Sequence, residues 1–211
     1  LTAGSFSYDA SMKMRGRSID LSATRTISST STSGADTWTI VNKTQTPMAT
    51  VTDSLIVDRA TLRPVSRHQR GPLTMDVTYT DTSASGSIQM RGQSTSISKS
   101  FDTPTLAGGA HDLVALATMP LTSEFSTSFP VFSAQQQTVH TANFEVTGTK
   151  TVKTPAGSFD TYVVDVTVGD DRVTGTVHVR KTAPHHVIKT KLDVSTARGT
   201  RTISQTLSKM S

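Results

Sequence analysis

The side chains that can move protons or bind metals are few: six His, fourteen Asp and two Glu among 211 residues. His185 and His186 are adjacent, and His178 lies shortly before them. Neighbouring residues on a strand leave from opposite faces, so these two imidazoles cannot chelate one ion together. No third ligand stands at a zinc-like spacing, and there is no Cys to supply a thiolate. The pair reads as solvated residues flanking a turn after Pro184, and no metal or cofactor is expected. For nucleophilic catalysis, His68, His111, His140 and His178 are candidate bases. With 27 Ser and 38 Thr in the chain, however, a Ser–His match carries no information. A G-x-S-x-G elbow, which would hold a serine on a strained strand-to-helix turn, is missing. Asp170-Asp171 reads as a hairpin turn, where Asp favours its own backbone. No catalytic residue is singled out, and the chain is expected to be non-enzymatic.

Arg59, Arg63, Arg67 and Arg70, with His68, form a basic stretch. It reads either as a strip for phosphates or lipid headgroups or, preferably, as a charged exposed or edge strand that blocks aggregation. Arg180, Lys181, Lys189, Lys191, Arg198, Arg201 and Lys209 have the same two readings. The net charge of +5 comes from scattered side chains, and aromatics at 5% are too sparse to stack bases, so no nucleic-acid partner is expected. The longest apolar run is Leu113 to Ala117. A membrane-spanning helix needs about 20 apolar residues, so the chain is not expected to span a bilayer.

Strands must position all of these residues. From 5 to 15, Phe6, Tyr8, Ala10, Met12 and Met14 fall on one parity and polar residues on the other, the pattern of a half-buried strand. Ser and Thr alternate with apolar residues in this way along most of the chain. Strands are expected at 5–15, 19–28, 38–42, 48–58, 62–70, 72–81, 87–91 and 94–101, with 29–36 a polar loop. The rhythm breaks at Gly108-Gly109, where Asp112 is expected to cap a short helix, 113–118, that Pro120 ends and that plugs an open end or face of the sheet. Five strands follow as a meander at 138–154, 158–168, 172–181, 185–196 and 200–208. Their inward parities include Tyr162, Val164, Val166, Val168, Val173, Val177, Val179, Ile188, Leu192 and Val194. The expectation is one all-β domain over 1–211, mainly antiparallel, with roughly eleven strands. They would curl into a half-barrel or open barrel, or stack as a sandwich, with one short helix.

Several motifs in order carry a family likeness: DRATLRPVSRHQR at 58–70, DLVALATMPL at 112–121, Val146-Thr147-Gly148, TPAGSF at 154–159 and PHHVIKTKLDV at 184–194. The chain resembles a family of exported bacterial domains of unknown function. The resemblance implies a curved antiparallel half-barrel similar to that of periplasmic lipoprotein carriers, whose concave face holds acyl chains beneath a helical lid. It brings no catalytic residues. On this likeness Tyr162, Val164, Val166, Val177 and Ile188 are expected to line an apolar ligand groove gated by Leu113, Leu116 and Met119. The partner would be a lipid or a lipoprotein acyl chain, at the periplasmic or extracellular face of a bacterial envelope. The alternative is an accessory subunit docked on the extracytoplasmic side of a membrane protein complex.

Overall fold

The computed structural model describes residues 1–32, 35–109, 112–197 and 199–211. The first half of the chain supplies β1 (Gly4–Met14), β2 (Arg17–Thr32), β3 (Ala35–Gln45), β4 (Thr50–Asp58), β5 (Pro64–Arg70), β6 (Leu73–Tyr79), β7 (Ser83–Met90) and β8 (Gln93–Ser100). A two-residue β9 (Leu106–Ala107) and the helix α1 (Asp112–Leu116) follow. The second half supplies β10 (Ser126–Ser133), β11 (Thr138–Thr154), β12 (Gly157–Val168), β13 (Val173–Arg180), β14 (Val187–Thr196) and β15 (Gly199–Met210). All belong to one 15-stranded sheet in the order β8-β7-β6-β5-β4-β3-β2-β1-β15-β14-β13-β12-β11-β10-β9. Every neighbouring pair is antiparallel except β9 and β10.

The expected class holds, but the count of about eleven strands is corrected to fifteen. One cause is β10. Its sequence STSFPVFS does not alternate, because Val131 and Phe132 are both buried, one on each face. The expected polar loop at 29–36 is also corrected. Ser29 pairs with Trp38 and the ladder runs on to Thr32 opposite Ala35; Ser33 and Gly34 lie outside the described residues.

Local chemistry explains the ladders. Arg15 and Gly16 join β1 to β2 with φ of 50° and 78°, and Arg91 and Gly92 join β7 to β8 with 52° and 79°. Two successive residues at positive φ give the type I′ turn, whose twist matches that of the flanking strands. Gly175 in mid-β13 has φ +153°, and a Cβ there would lie 2.1 Å from the Lys191 carbonyl oxygen of β14. Only glycine lets two backbones approach so closely, which allows the sheet to bend at that point.

The sheet rolls until its two ends meet. Arg67 of β5 donates through Nη1 to the carbonyl of Gly108, just after β9. Phe101, after β8, packs on Phe132 of β10 at 5.1 Å, and Gln137 Nε2 donates to the Ser96 carbonyl at 3.0 Å. In the basic stretch Arg59, Arg63 and Arg70 are exposed, as expected, but the edge position is corrected. β5 lies between β4 and β6 rather than at an edge, and Arg67 is buried. All four arginines meet aspartates: Arg59 with Asp36, Arg63 with Asp81, Arg67 with Asp53 and Arg70 with Asp76.

Register fixes which turns share an end. Met14 lies opposite Arg201, and Val173 opposite Val194, so the β1/β2, β12/β13 and β14/β15 turns gather at one end of the roll. At the other end, Leu1 and Leu62 pack with Val114 and Ala115 of α1. A short helix is present as expected, but its bounds are corrected from 113–118 to Asp112–Leu116, and it closes this end of the roll. Two apolar clusters result. One joins β1–β8 to Phe132, and the second places Leu113 and Leu116 against β10–β14.

Candidate functional site: a cup beneath the helix

Between α1, the inner face of β10–β15 and side chains of β5 and β6 lies a cavity of about 420 Å³. Its deep walls are apolar: Met75, Leu113, Val131, Phe144 and Val166, all buried. Phe144 is held by a stacked contact with Phe129 at 5.0 Å. Towards the end where the turns gather, Val168, Val173, Leu192, Val194 and Ile203 continue the lining but are only half-buried. That gradient in exposure marks the mouth, opposite the end plugged by α1 and Leu1. The alternation of each strand produces it: Val166 and Val168 on β12 face inward together, as do Leu192 and Val194 on β14.

Polar groups are confined to a few places. Deep in the cup, Thr190 and Arg67 are buried. Arg67 is satisfied by a two-point ion pair with Asp53, Nε to Oδ1 at 3.0 Å and Nη2 to Oδ2 at 2.7 Å. At the mouth stand Arg172, Ser195, Gln135, Gln136 and His140. His140 Nε2 lies 2.7 Å from Gln136 Oε1, which holds the ring in place at the rim.

The other histidines are dispersed. His68 Nδ1 meets Asp76 at 2.7 Å, and the Arg70 guanidinium and His68 beside Asp76 hold that carboxyl below its usual range. His178 Nδ1 lies 3.3 Å from the Thr161 hydroxyl, and its pKa is lowered by burial and by Lys189 and Lys150. His185 donates from Nδ1 to the Arg180 carbonyl at 2.8 Å. His186 packs on Phe6 with ring centres 4.7 Å apart, and burial first, then Arg180 and His185, push its pKa down to about 4. Among the described residues no three His, Asp or Glu side chains converge on a metal-sized site. His111 and Arg198 lie outside the described residues.

The residues expected to form the groove divide into three groups. Leu113 and Val166 line the cup. Leu116 of the helix and Val164 and Val177 are fully buried in one cluster, with Met119 and Tyr162 packed at its margin. Ile188 sits in the other cluster, next to a register shift between β13 and β14. The mouth residues Arg172, Gln136 and His140 were not anticipated as ligand-facing. They lie in or beside hairpin turns, where sequence pattern gives no facing direction.

A rolled, helix-plugged sheet with a cup of this kind is a β-barrel-like fold. The crystal structure of a β-barrel-like protein of the DUF1849 domain of unknown function, from Brucella abortus, is similar to it, with a TM-score of 0.64 and 10% identity, over 100% of this chain and 98% of that one. The chain belongs to the DUF3108 family of proteins of unknown function, which matches residues 7–206. Two other crystal structures align over 100% of this chain and 96% of their own, more loosely. One, from Bacteroides fragilis, is assigned as an exported protein with a YmcC-like fold (TM-score 0.37, 10% identity), and one from Parabacteroides distasonis as a lipoprotein (TM-score 0.39, 8% identity). No curated protein matches the chain in sequence. Among the described residues, no helix is long and apolar enough to cross a membrane.

Proposed function

We propose that this chain is a non-enzymatic binding module that takes one apolar chain, such as that of a lipid or lipoprotein, into the cup. The cup itself is the observation that carries this reading: about 420 Å³, walled by aliphatic and aromatic side chains, plugged at one end and rimmed by polar groups at the other. Sites for small apolar molecules fall at ~300–1,000 Å³ with such a lining. A dry engineered cavity of about 150 Å³ accepts benzene, so this one has room for on the order of fifteen carbon atoms. Each buried CH₂ contributes roughly 0.8 kcal/mol, so a chain of that length binds without any covalent step. The dispersed histidines, each of the five described ones held by a partner other than serine, favour binding over hydrolysis. The likeness of TPAGSF and its companion motifs to exported domains supports a location on the extracytoplasmic side of a bacterial envelope.

Native mass spectrometry of protein purified without detergent, followed by titration with a fluorescent fatty acid, tests the reading. A co-purifying lipid or saturable uptake is expected, with uptake lost in Val166→Trp, which fills the cup. Absence of both overturns it. A second reading, docking as an accessory subunit on a membrane complex, is favoured by β8. It ends the sheet, and seven of its eight residues are exposed, a geometry suited to strand addition. Recovery of the chain alone from solubilised membranes counts against that reading.

A further inference from the structure

The mouth of the cup is cationic. Val173 lies opposite Val194, Val194 opposite Arg201, Arg201 opposite Met14 and Met14 opposite Arg17, which makes one continuous row across four ladders. Directly opposed residues share a face of the sheet. Val173 and Val194 line the cavity, so Arg201 and Arg17 stand on the cavity face too. Arg172 lines the mouth directly, immediately before Val173. With strands about 4.8 Å apart, Arg201 lies roughly 10 Å from both Val173 and Arg17, a spacing that long guanidinium side chains can close on one small group.

Arg17, Arg172 and Arg201 form no ion pair among the described residues, unlike the arginines at 59, 63, 67 and 70. The Nε of Arg201 is buried with no hydrogen-bond partner among the described residues. A buried guanidinium N–H left in that state is costly unless something accepts from it. The acids nearest in sequence, Asp170 and Asp171, are exposed in the turn before Arg172.

Resting on the binding function proposed above, we infer that the ligand is a single-chain amphiphile with an anionic head, a carboxylate or phosphate, whose tail fills the cup while Arg172 and Arg201 hold the head at the rim. Guanidinium suits both heads, because its fixed fork of N–H donors matches their oxygens.

Isothermal titration below the micellar concentration, with palmitate, lysophosphatidate and the uncharged methyl palmitate, tests this. Palmitate and lysophosphatidate are expected to bind about ten-fold or more tightly than methyl palmitate, the factor a charge-assisted hydrogen bond supplies. The preference is expected to disappear in Arg172→Gln/Arg201→Gln and to persist in Arg201→Lys, with melting curves confirming that each variant folds. If only one anionic ligand shows the preference, the head is assigned to that class. Equal affinity for palmitate and methyl palmitate, or a preference that survives the double glutamine variant, overturns the inference and leaves the apolar-binding function standing. No binding of any of the three overturns both.

Discussion

Replacing Asp53 by Asn should damage this protein more than any surface substitution. The change removes one charge and almost no volume, yet Arg67 is left inside the roll with its guanidinium uncompensated. The pair is well buried, with side chains only 10% and 14% exposed, and both N–H···O contacts are short, at 3.0 and 2.7 Å. Breaking a buried pair from one side costs about 3–5 kcal/mol. For a chain of this size each kcal/mol moves Tm by roughly 2–4 °C, so a loss of roughly 6–20 °C is expected by differential scanning calorimetry. The local effect has a direction as well, because the same guanidinium holds the Gly108 carbonyl and so ties β9 to β5. Amide exchange in β9 and α1 should quicken before that of β14. Replacing both partners, Arg67→Met with Asp53→Leu, should recover much of the loss, because the cost lies in the orphaned charge. A melting shift below about 2 °C for Asp53→Asn would refute the claim that a buried ion pair anchors the guanidinium that ties β9 to β5.

Val177 is fully buried, and Val177→Ala should cost about 2–3 kcal/mol from lost transfer energy and the void left behind, whereas exposed Lys189→Ala should change stability by less than about 0.5 kcal/mol. Equal melting shifts for the two would show the register to be wrong. Gly175→Ala should cost roughly 1–3 kcal/mol in urea unfolding, since its Cβ meets backbone at 2.1 Å and the φ is strained, while Gly148→Ala, with nothing within 4 Å, should be nearly silent. His186 has a folded pKa depressed to about 4 from 6.5, so its contribution is complete above pH 6.5 and is lost as pH falls towards 4. Tm measured across that window should fall in the native protein and fall less steeply in His186→Phe, where the depressed His178 still contributes. The depressed Asp58 and Asp76 act separately, because the stability they add is lost only below about pH 3.8.

Much of the fold is legible in the residues. The parity of Val164, Val166, Val177 and Val179 locates the inner face of the sheet, and all four are buried. Arg15-Gly16 announces its hairpin because few sequences tolerate two positive φ angles in succession. Elements packed on both sides are not legible. In β10, Phe132 faces Tyr79 and Phe101 while Val131 faces the cup, so no polar face remains to set a period. The ladder between Ser29–Thr32 and Ala35–Trp38 is hidden for the opposite reason, since its hydroxyl-rich outer ends have little apolar parity to read. The cup was half legible. Pattern identifies inward side chains but not which of them cluster with α1, so Val164 and Val177 are buried in one cluster with Leu116 while Val168, Val194 and Ile203 line the mouth. The arginines of the rim depend on cross-strand register between segments far apart in sequence, a relation no local window contains.

The pairing of β1 with β15 has a kinetic consequence. Read from β10 to β15 and then from β1 to β8, the strand order is one uninterrupted meander, a circular permutation of the order in the chain, with β9 added in parallel at its edge. The ladders of β1–β8 and of β10–β15 each join strands that follow one another directly, so each set closes only short loops. One ladder alone, with Tyr8 opposite Leu207, spans nearly the whole sequence. The entropy of closing that large loop is offset only after both meanders exist, because contacts between distant segments form late when local ones are available. Assembly is therefore that of two half-shells zipped along one line. That line lies at the middle of the sheet, far from the seam that Arg67 fastens through the Gly108 carbonyl.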